Sequence, residues 1–176
     1  MNKKAMSVFI SVLALIISMS TVVFAMTVVG VVKGNWIEYQ VTYVGAPDEE
    51  HDVIWAKMEI ANVQGLVIYV NITVQYSSGK LETLPVILNL ETGELGDRFI
   101  IPADLDIGDK FLDTTEGGIP ISGSEERIFA GARRAVVNTA TSQTQYYWDK
   151  STGVLLEASS ELPDYTMHTR AIKTNM

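Results

Sequence analysis

The stretch Leu66-Val67-Ile68-Tyr69-Val70-Asn71-Ile72-Thr73-Val74-Gln75-Tyr76 decides the fold. Leu66, Ile68, Val70, Ile72, Val74 and Tyr76 fall on one side of an extended chain, and Val67, Tyr69, Asn71, Thr73 and Gln75 on the other. Six apolar residues in strict alternation describe a half-buried strand, because successive side chains of a strand point to opposite faces. The same rhythm recurs at Ile37, Tyr39, Val41 and Tyr43, at Ile54, Ala56, Met58 and Ile60, and at Leu84, Val86, Leu88 and Leu90. Near the C-terminus Tyr165, Met167, Thr169 and Ala171 oppose Thr166, His168 and Arg170. One wet and one dry face per strand is the antiparallel pattern.

The punctuation between these runs is turn chemistry. Gly45-Ala46-Pro47-Asp48, Asn62-Val63-Gln64-Gly65 and Ser77-Ser78-Gly79-Lys80 place Gly or Pro where the chain must reverse. Asp149-Lys150-Ser151-Thr152-Gly153 reads as a hairpin loop, a type I turn closing on a left-handed Gly. Between Asp104 and Gly118 the strand rhythm gives way to Asp, Gly and Thr, and Pro102-Ala103-Asp104-Leu105 suits the start of one short helical turn. No long amphipathic helix and no repeat interrupts the series. The expected fold is all-β: about 8–10 antiparallel strands packed as a single curled sheet, half-barrel or sandwich.

A different segment precedes this domain. Lys3 and Lys4 are followed by an uncharged, largely apolar run from Ala5 to Val32. A basic start, an apolar stretch and small residues at Val23-Phe24-Ala25 are the marks of an export signal cleaved after Ala25. The run also exceeds the roughly 7–15 apolar residues of a signal core and is long enough to span a bilayer, which takes about 20. Residues 1–25 are therefore a signal peptide or, extended to about 32, an uncleaved membrane anchor helix. Residues 33–176 form a single β domain, placed outside the membrane by either route.

Charge narrows the partners. The leader holds two of the 13 basic residues and none of the 21 acidic ones, so the exported part has a formal charge of −10. A nucleic-acid backbone demands clustered Lys and Arg, and anionic headgroups demand the same. With no cysteine, there is no disulfide framework, no thiolate nucleophile and no lipid-modified Cys.

Catalytic and metal motifs are equally sparse. No Gly-x-Ser-x-Gly elbow, His-Glu-x-x-His or paired-Cys spacing occurs. His51 sits in the acidic loop Asp48-Glu49-Glu50-His51-Asp52, and His168 lies on the polar face of the last strand; both read as solvated. Asp104-Leu105-Asp106-Ile107-Gly108-Asp109 resembles a calcium loop only superficially, since Gly108, Asp109 and Thr115 stand where an EF-hand needs Asp or Asn, Gly and Glu. An ad hoc calcium site from Asp104, Asp106, Asp109 and Asp113 competes with the simpler reading that Asp closes turns on its own backbone. Calcium apart, no cofactor is expected. Glu125, Glu126, Arg127, Arg133 and Arg134 read as edge or surface charges, with an inward-pointing arginine pair as the alternative. The chain is expected not to be an enzyme.

Aromatic residues are the candidate ligand contacts. Tyr146 and Trp148 share one face of a strand, and Trp36 and Trp55 oppose the apolar stripes of theirs. These four would line a groove for apolar material, or else pack across strands. Asn71-Ile72-Thr73 is a glycosylation sequon on a polar face.

Three stretches are similar to an uncharacterised group of archaeal exported β proteins: Val32-Lys33-Gly34-Asn35-Trp36-Ile37-Glu38-Tyr39, Phe99 through Asp109, and Tyr146 through Glu157. Asn35 departs from that group, which usually has Asp there. The group implies a location and a fold but no activity. The hairpin Tyr147-Trp148-Asp149-Lys150-Ser151-Thr152-Gly153 also resembles one in lipoprotein-carrier half-barrels, which cup acyl chains. That resemblance implies a lipid or other apolar ligand. The alternative is a structural or protein-interaction module of the cell surface with a filled core. A ligand cavity of about 300–1,000 Å³ would separate the two.

Overall fold

The computed structural model describes residues 27–47 and 52–176 of the chain. Residues 1–26, His51 and the acids Asp48, Glu49 and Glu50 lie outside the described residues; an anchor helix reaching residue 32 is not borne out over its described part, where Val28 bridges to Ala103 and Val31 is buried in the core of the domain. Eleven strands follow in order: β1 (Trp36–Gly45), β2 (Val53–Gln64), β3 (Val67–Tyr76), β4 (Leu81–Asn89), β5 (Lys110–Asp113), β6 (Gly117–Pro120), β7 (Gly123–Phe129), β8 (Ala132–Ala140), β9 (Thr144–Asp149), β10 (Leu155–Glu161) and β11 (Tyr165–Thr174). Nine of them form one antiparallel sheet, ordered β4-β3-β2-β1-β11-β10-β9-β8-β7, and β5 and β6 pair separately as a hairpin. The sheet is all-antiparallel and open, with β4 and β7 as its edges. No helix of the described residues is long and apolar enough to cross a membrane.

The alternation in the sequence translates directly into two faces. Ile68, Val70 and Ile72 of β3 are buried beside Met58 and Ile60 of β2, and Ile37, Tyr39 and Val41 of β1 continue the row toward Ala171 of β11. Leu88, Ala158, Tyr146, Trp148 and Val137 extend it to β4 and β8. Each fully buried aliphatic side chain contributes on the order of 1.5–3 kcal/mol. On the opposite, outer face stand Glu38, Gln40, Lys57, Glu59, Asn71, His168 and Arg170.

A plug covers one end of the inner face. After β4 the chain does not reverse into another sheet strand; Leu90 through Ile121 crosses the sheet and buries Leu95, Ile100, Ile101, Leu105, Phe111, Ile119 and Ile121 against it. Backbone bonds seat it at that end: Ile101 N–H to the Gly153 carbonyl at 3.0 Å, and Asp104 N–H to the Lys150 carbonyl at 2.7 Å. The segment that precedes β1 docks here too, with Ala103 N–H donating to the Val28 carbonyl at 2.9 Å. The opposite end carries the links β1–β2, β3–β4, β8–β9 and β10–β11 and has no such cover among the described residues.

Three expectations need correction. Pro102-Ala103-Asp104-Leu105 is not helical: Ala103 forms a bridge with Val28, its N–H taken by the Val28 carbonyl, and Asp104 then turns the chain with φ +59°. The Asp104–Gly118 stretch is not only a loop, since it begins the β5–β6 hairpin whose buried Phe111 and Ile119 face the sheet. The turn expected at Asn62–Gly65 is tighter and later, because a register shift between Ile60 and Asn62 lets β2 run to Gln64, leaving Gly65 and Leu66 to reverse the chain.

At the other edge the sheet folds back on its outer face. The Ile128 carbonyl of β7 accepts a bond from Arg170 of β11 at 3.1 Å, and the Arg170 guanidinium lies 4.6 Å from the Phe129 ring centre. Val136 and Phe129 are buried beneath this fold.

The Asp149–Gly153 hairpin has the anticipated geometry. Asp149 Oδ1 accepts the N–H groups of Ser151 and Thr152 at 3.0 and 3.1 Å, and Gly153 adopts φ +70°. A Cβ at Gly153 would lie 2.0 Å from the Ile101 carbonyl oxygen, on top of the bond that docks the plug. Gly153→Ala should therefore combine backbone strain with loss of that contact and destabilise by at least ~2 kcal/mol. Urea unfolding checks it; an unchanged midpoint would show that the hairpin does not hold the plug.

Candidate apolar site at the unplugged end

The plug is tied to the sheet by Arg98, which precedes Phe99 in the crossing segment. Its Nε donates to Asp113 Oδ2, Nη1 to the Tyr146 hydroxyl and Nη2 to Glu116 Oε1, each at 2.8 Å. The guanidinium lies 5.3 Å from the Tyr146 ring centre, and the Arg98 carbonyl accepts Trp148 Nε1–H at 2.8 Å. Arg98 takes up a left-handed backbone, φ +59°, which is uncommon without Gly. Both partners are buried, with 11% of the Arg98 side chain and 7% of Asp113 exposed. Burial disfavours the charged guanidinium, but the bonds to Asp113 and Tyr146 outweigh it and hold Arg98 above its ordinary value.

Next to this anchor the inner face opens. A pocket of about 280 Å³ runs from Phe99, Tyr146 and Leu155 past Ala158 and Ser160 to Leu162, Gln143 and Met167 at the unplugged end. Thr144, Thr169 and Asp97 complete its wall. Elsewhere the inner face carries partly wet apolar side chains. Val74, Tyr43, Tyr165 and Met167 are half-buried and Leu84 is 50% exposed, although their strand positions match the buried row deeper in. Tyr43 and Tyr165 meet edge to face at 5.6 Å.

The expected contact residues do not converge. Tyr146 lines the pocket, but its stacking partner Trp148, 5.1 Å away, is completely buried against Phe111 and lies beneath Tyr146. Trp36 and Trp55 sit on the outer face, interleaved with Glu38, Gln40, Lys57 and Glu59, and Lys57 lies over the Trp36 ring at 5.4 Å. Phe99, Leu162 and Met167 were not singled out from the sequence, because their role depends on where the plug stops. Asn71 is exposed on the outer face.

The acids proposed as calcium ligands have the following protein partners. Asp109 Oδ2 accepts the Asp106 N–H at 2.8 Å, Asp106 pairs with Lys150, and Asp113 is the partner of Arg98. No group of three or more His, Cys, Asp or Glu able to hold a metal occurs among the described residues. Arg133 and Arg134 part company: Arg133 is exposed beside Glu126, while Arg134 is largely buried and pairs with Asp149 at 2.8 Å. A depression of about 420 Å³ beside this pair is lined by Arg133, Arg134, Asp149 and Lys150. Its cations are already matched to Glu126, Asp149 and Asp106, so it offers less to a ligand than the apolar pocket does.

No protein-family model and no curated protein matches the chain. Among solved structures, the siderocalin Ex-FABP, which functions through dual ligand specificities, aligns over 79% of this chain and 70% of its own at 12% identity, with a TM-score of 0.28. At that score the likeness carries no weight for fold or ligand.

Removing Arg98 leaves Asp113 buried and unpaired, so Arg98→Met should cost ~3–5 kcal/mol in urea unfolding. An effect below ~1 kcal/mol would mean that apolar packing alone seats the plug. The carboxyl groups of Asp113 and Asp149 give a pH signature. Burial pushes both upward, but Arg98 and two backbone N–H groups for Asp113, and Ser151 and Arg134 for Asp149, hold them below the usual value of 3.8. Protons then bind the unfolded chain more tightly than the folded one. The stability these groups contribute is complete above 3.8 and lost as pH falls through the lower folded values. Asp113→Asn should be less stable than the parent at neutral pH and approach it in acid; a gap that persists at low pH would assign the loss to shape and not charge.

Proposed function

We propose that the chain is a non-enzymatic protein of the cell envelope, exported by its apolar leader, that holds a lipid tail or similar apolar ligand in the unplugged half of its sheet. The observation that carries this reading is the pocket from Tyr146 to Met167, with the half-buried Tyr43 paired beside Met167 on the same face. Burying them would release apolar surface from water at about 25 cal/mol per Å². At about 280 Å³ the pocket falls just short of the roughly 300–1,000 Å³ of typical small-molecule sites, which suits one alkyl chain better than a large ring system.

The path of the described segment that precedes β1 supports the same use. Val28 is paired at the plugged end, so a retained anchor would point the pocket mouth away from the membrane surface. Cleavage after Ala25 would free the domain altogether. In either form the ligand enters from the aqueous side. The resemblance of the hairpin to lipoprotein-carrier half-barrels agrees with an acyl ligand, and similarity to archaeal exported β proteins agrees with the location.

The competing reading is a surface interaction module with a filled core. It draws on the plug, which buries seven large apolar side chains where a deeper cavity would otherwise be. Trp148 distinguishes the two. In the full chain carrying Trp36→Phe and Trp55→Phe it is the sole tryptophan, stacked on the pocket residue Tyr146. A decyl probe brominated near its tail end should quench its fluorescence saturably, and Ala158→Phe or the milder Ser160→Leu should remove the effect. Unquenched Trp148 at saturating probe would favour the interaction module.

A further inference from the structure

We infer that the ligand of this pocket carries an uncharged oxygen-bearing head, an alcohol or an ester, held at the hydroxyl pair Thr144–Ser160. The inference rests on the apolar-ligand reading above. On the sheet side the pocket wall is two cross-strand rows of inner-face residues. Thr169, Ala158 and Tyr146 are register partners across β11, β10 and β9. Met167, Ser160 and Thr144 form the next row, one step nearer the unplugged end. Leu155 lies toward the plugged end of β10 and its N–H donates to the Phe99 carbonyl at 2.8 Å, so the deep end of the pocket is apolar. The outer row brings two hydroxyls together: Thr144 Oγ1 donates to Ser160 Oγ at 3.0 Å. Each hydroxyl owns one hydrogen, and the single bond between them uses one of the two. The hydrogen left over, on Ser160, has no acceptor among the described residues. An oxygen on a ligand whose tail fills the deep end would take it.

The same wall does not suit a charged head. No lysine, arginine or histidine lines it among the described residues. The Arg98 guanidinium beneath it is engaged by Tyr146, Asp113 and Glu116, so a carboxylate or phosphate would meet no free cation. Asp97 is the one charged residue of the wall, and it is exposed, so water screens it from a cationic head. An ion drawn into the pocket would lose hydration without gaining a partner, whereas an uncharged oxygen gives up less and gains a hydrogen bond.

The test compares four competitors with one octyl chain: octane, 1-octanol, octyl acetate and octyl sulfate. Each displaces the brominated decyl probe from the full chain bearing Trp36→Phe and Trp55→Phe, with Trp148 as the reporter. The alcohol or the ester should bind about tenfold more tightly than the sulfate, and the tighter of the two names the head. Ser160→Ala, alone and with Thr144→Val, should weaken that competitor about fivefold, the size of one net hydrogen bond. Octane binding should not change, which also shows that the variants are folded. Thr73→Val removes a hydroxyl bonded to that of Thr83 at 2.9 Å on the outer face, and should alter none of the four affinities. Sulfate binding as tight as the alcohol and the ester, or variants that weaken octane and the oxygen-bearing competitors equally or not at all, would overturn the uncharged head while leaving the apolar pocket standing. Displacement by none of the four would remove the pocket reading and this inference with it.

Discussion

An arginine buried at the boundary between two layers must find a carboxylate, because a lone guanidinium taken out of water is too costly to keep. Arg98 finds two, and in doing so sets most of what is distinctive here. Its side chain fastens the β5–β6 hairpin through Asp113 and Glu116 and the sheet through Tyr146, while its carbonyl fixes the Trp148 indole. The plug therefore stops at Tyr146. Below that residue Trp148, Phe111 and Leu155 are dry core, and beside it the pocket opens. A position that requires φ +59° without the freedom of Gly is the strained point on which that boundary turns.

Much of the sheet was legible because burial imposes a period of two. The faces of β1, β3 and β11 follow the alternation of Ile37 to Tyr43, Ile68 to Tyr76 and Tyr165 to Ala171 without exception. The Asp149–Gly153 hairpin was legible for a different reason: its Asp, Ser, Thr and Gly satisfy one another locally. The plug was not. Its apolar residues, Leu95, Ile100, Ile101, Leu105 and Phe111, obey no period, because they descend onto a sheet surface made by distant strands. For the same reason its acids read ambiguously. Asp106 and Asp109 close a turn, whereas Asp113, four residues on, is a buried ion-pair partner whose importance depends on Arg98 fifteen residues earlier.

The aromatic residues show the limit of reading a site from residue type. Trp36, Trp55, Tyr146 and Trp148 share a chemistry but not a place, and only Tyr146 reaches the pocket. Trp148 lies one layer too deep, and the other two face the far side of the sheet. Within one strand parity assigns a side, but it does not say which side another part of the chain will cover, nor how far that cover extends. The pocket is defined by an absence of cover over ordinary strand residues such as Ala158, Ser160 and Met167, none of which is unusual in composition.

Such a groove has to be reconciled with solubility. Wet apolar surface at the end of an open sheet invites pairing with another chain, and this protein counters it in two ways. Pro85 interrupts the β4 edge, and the β7 edge is folded back and engaged by Arg170.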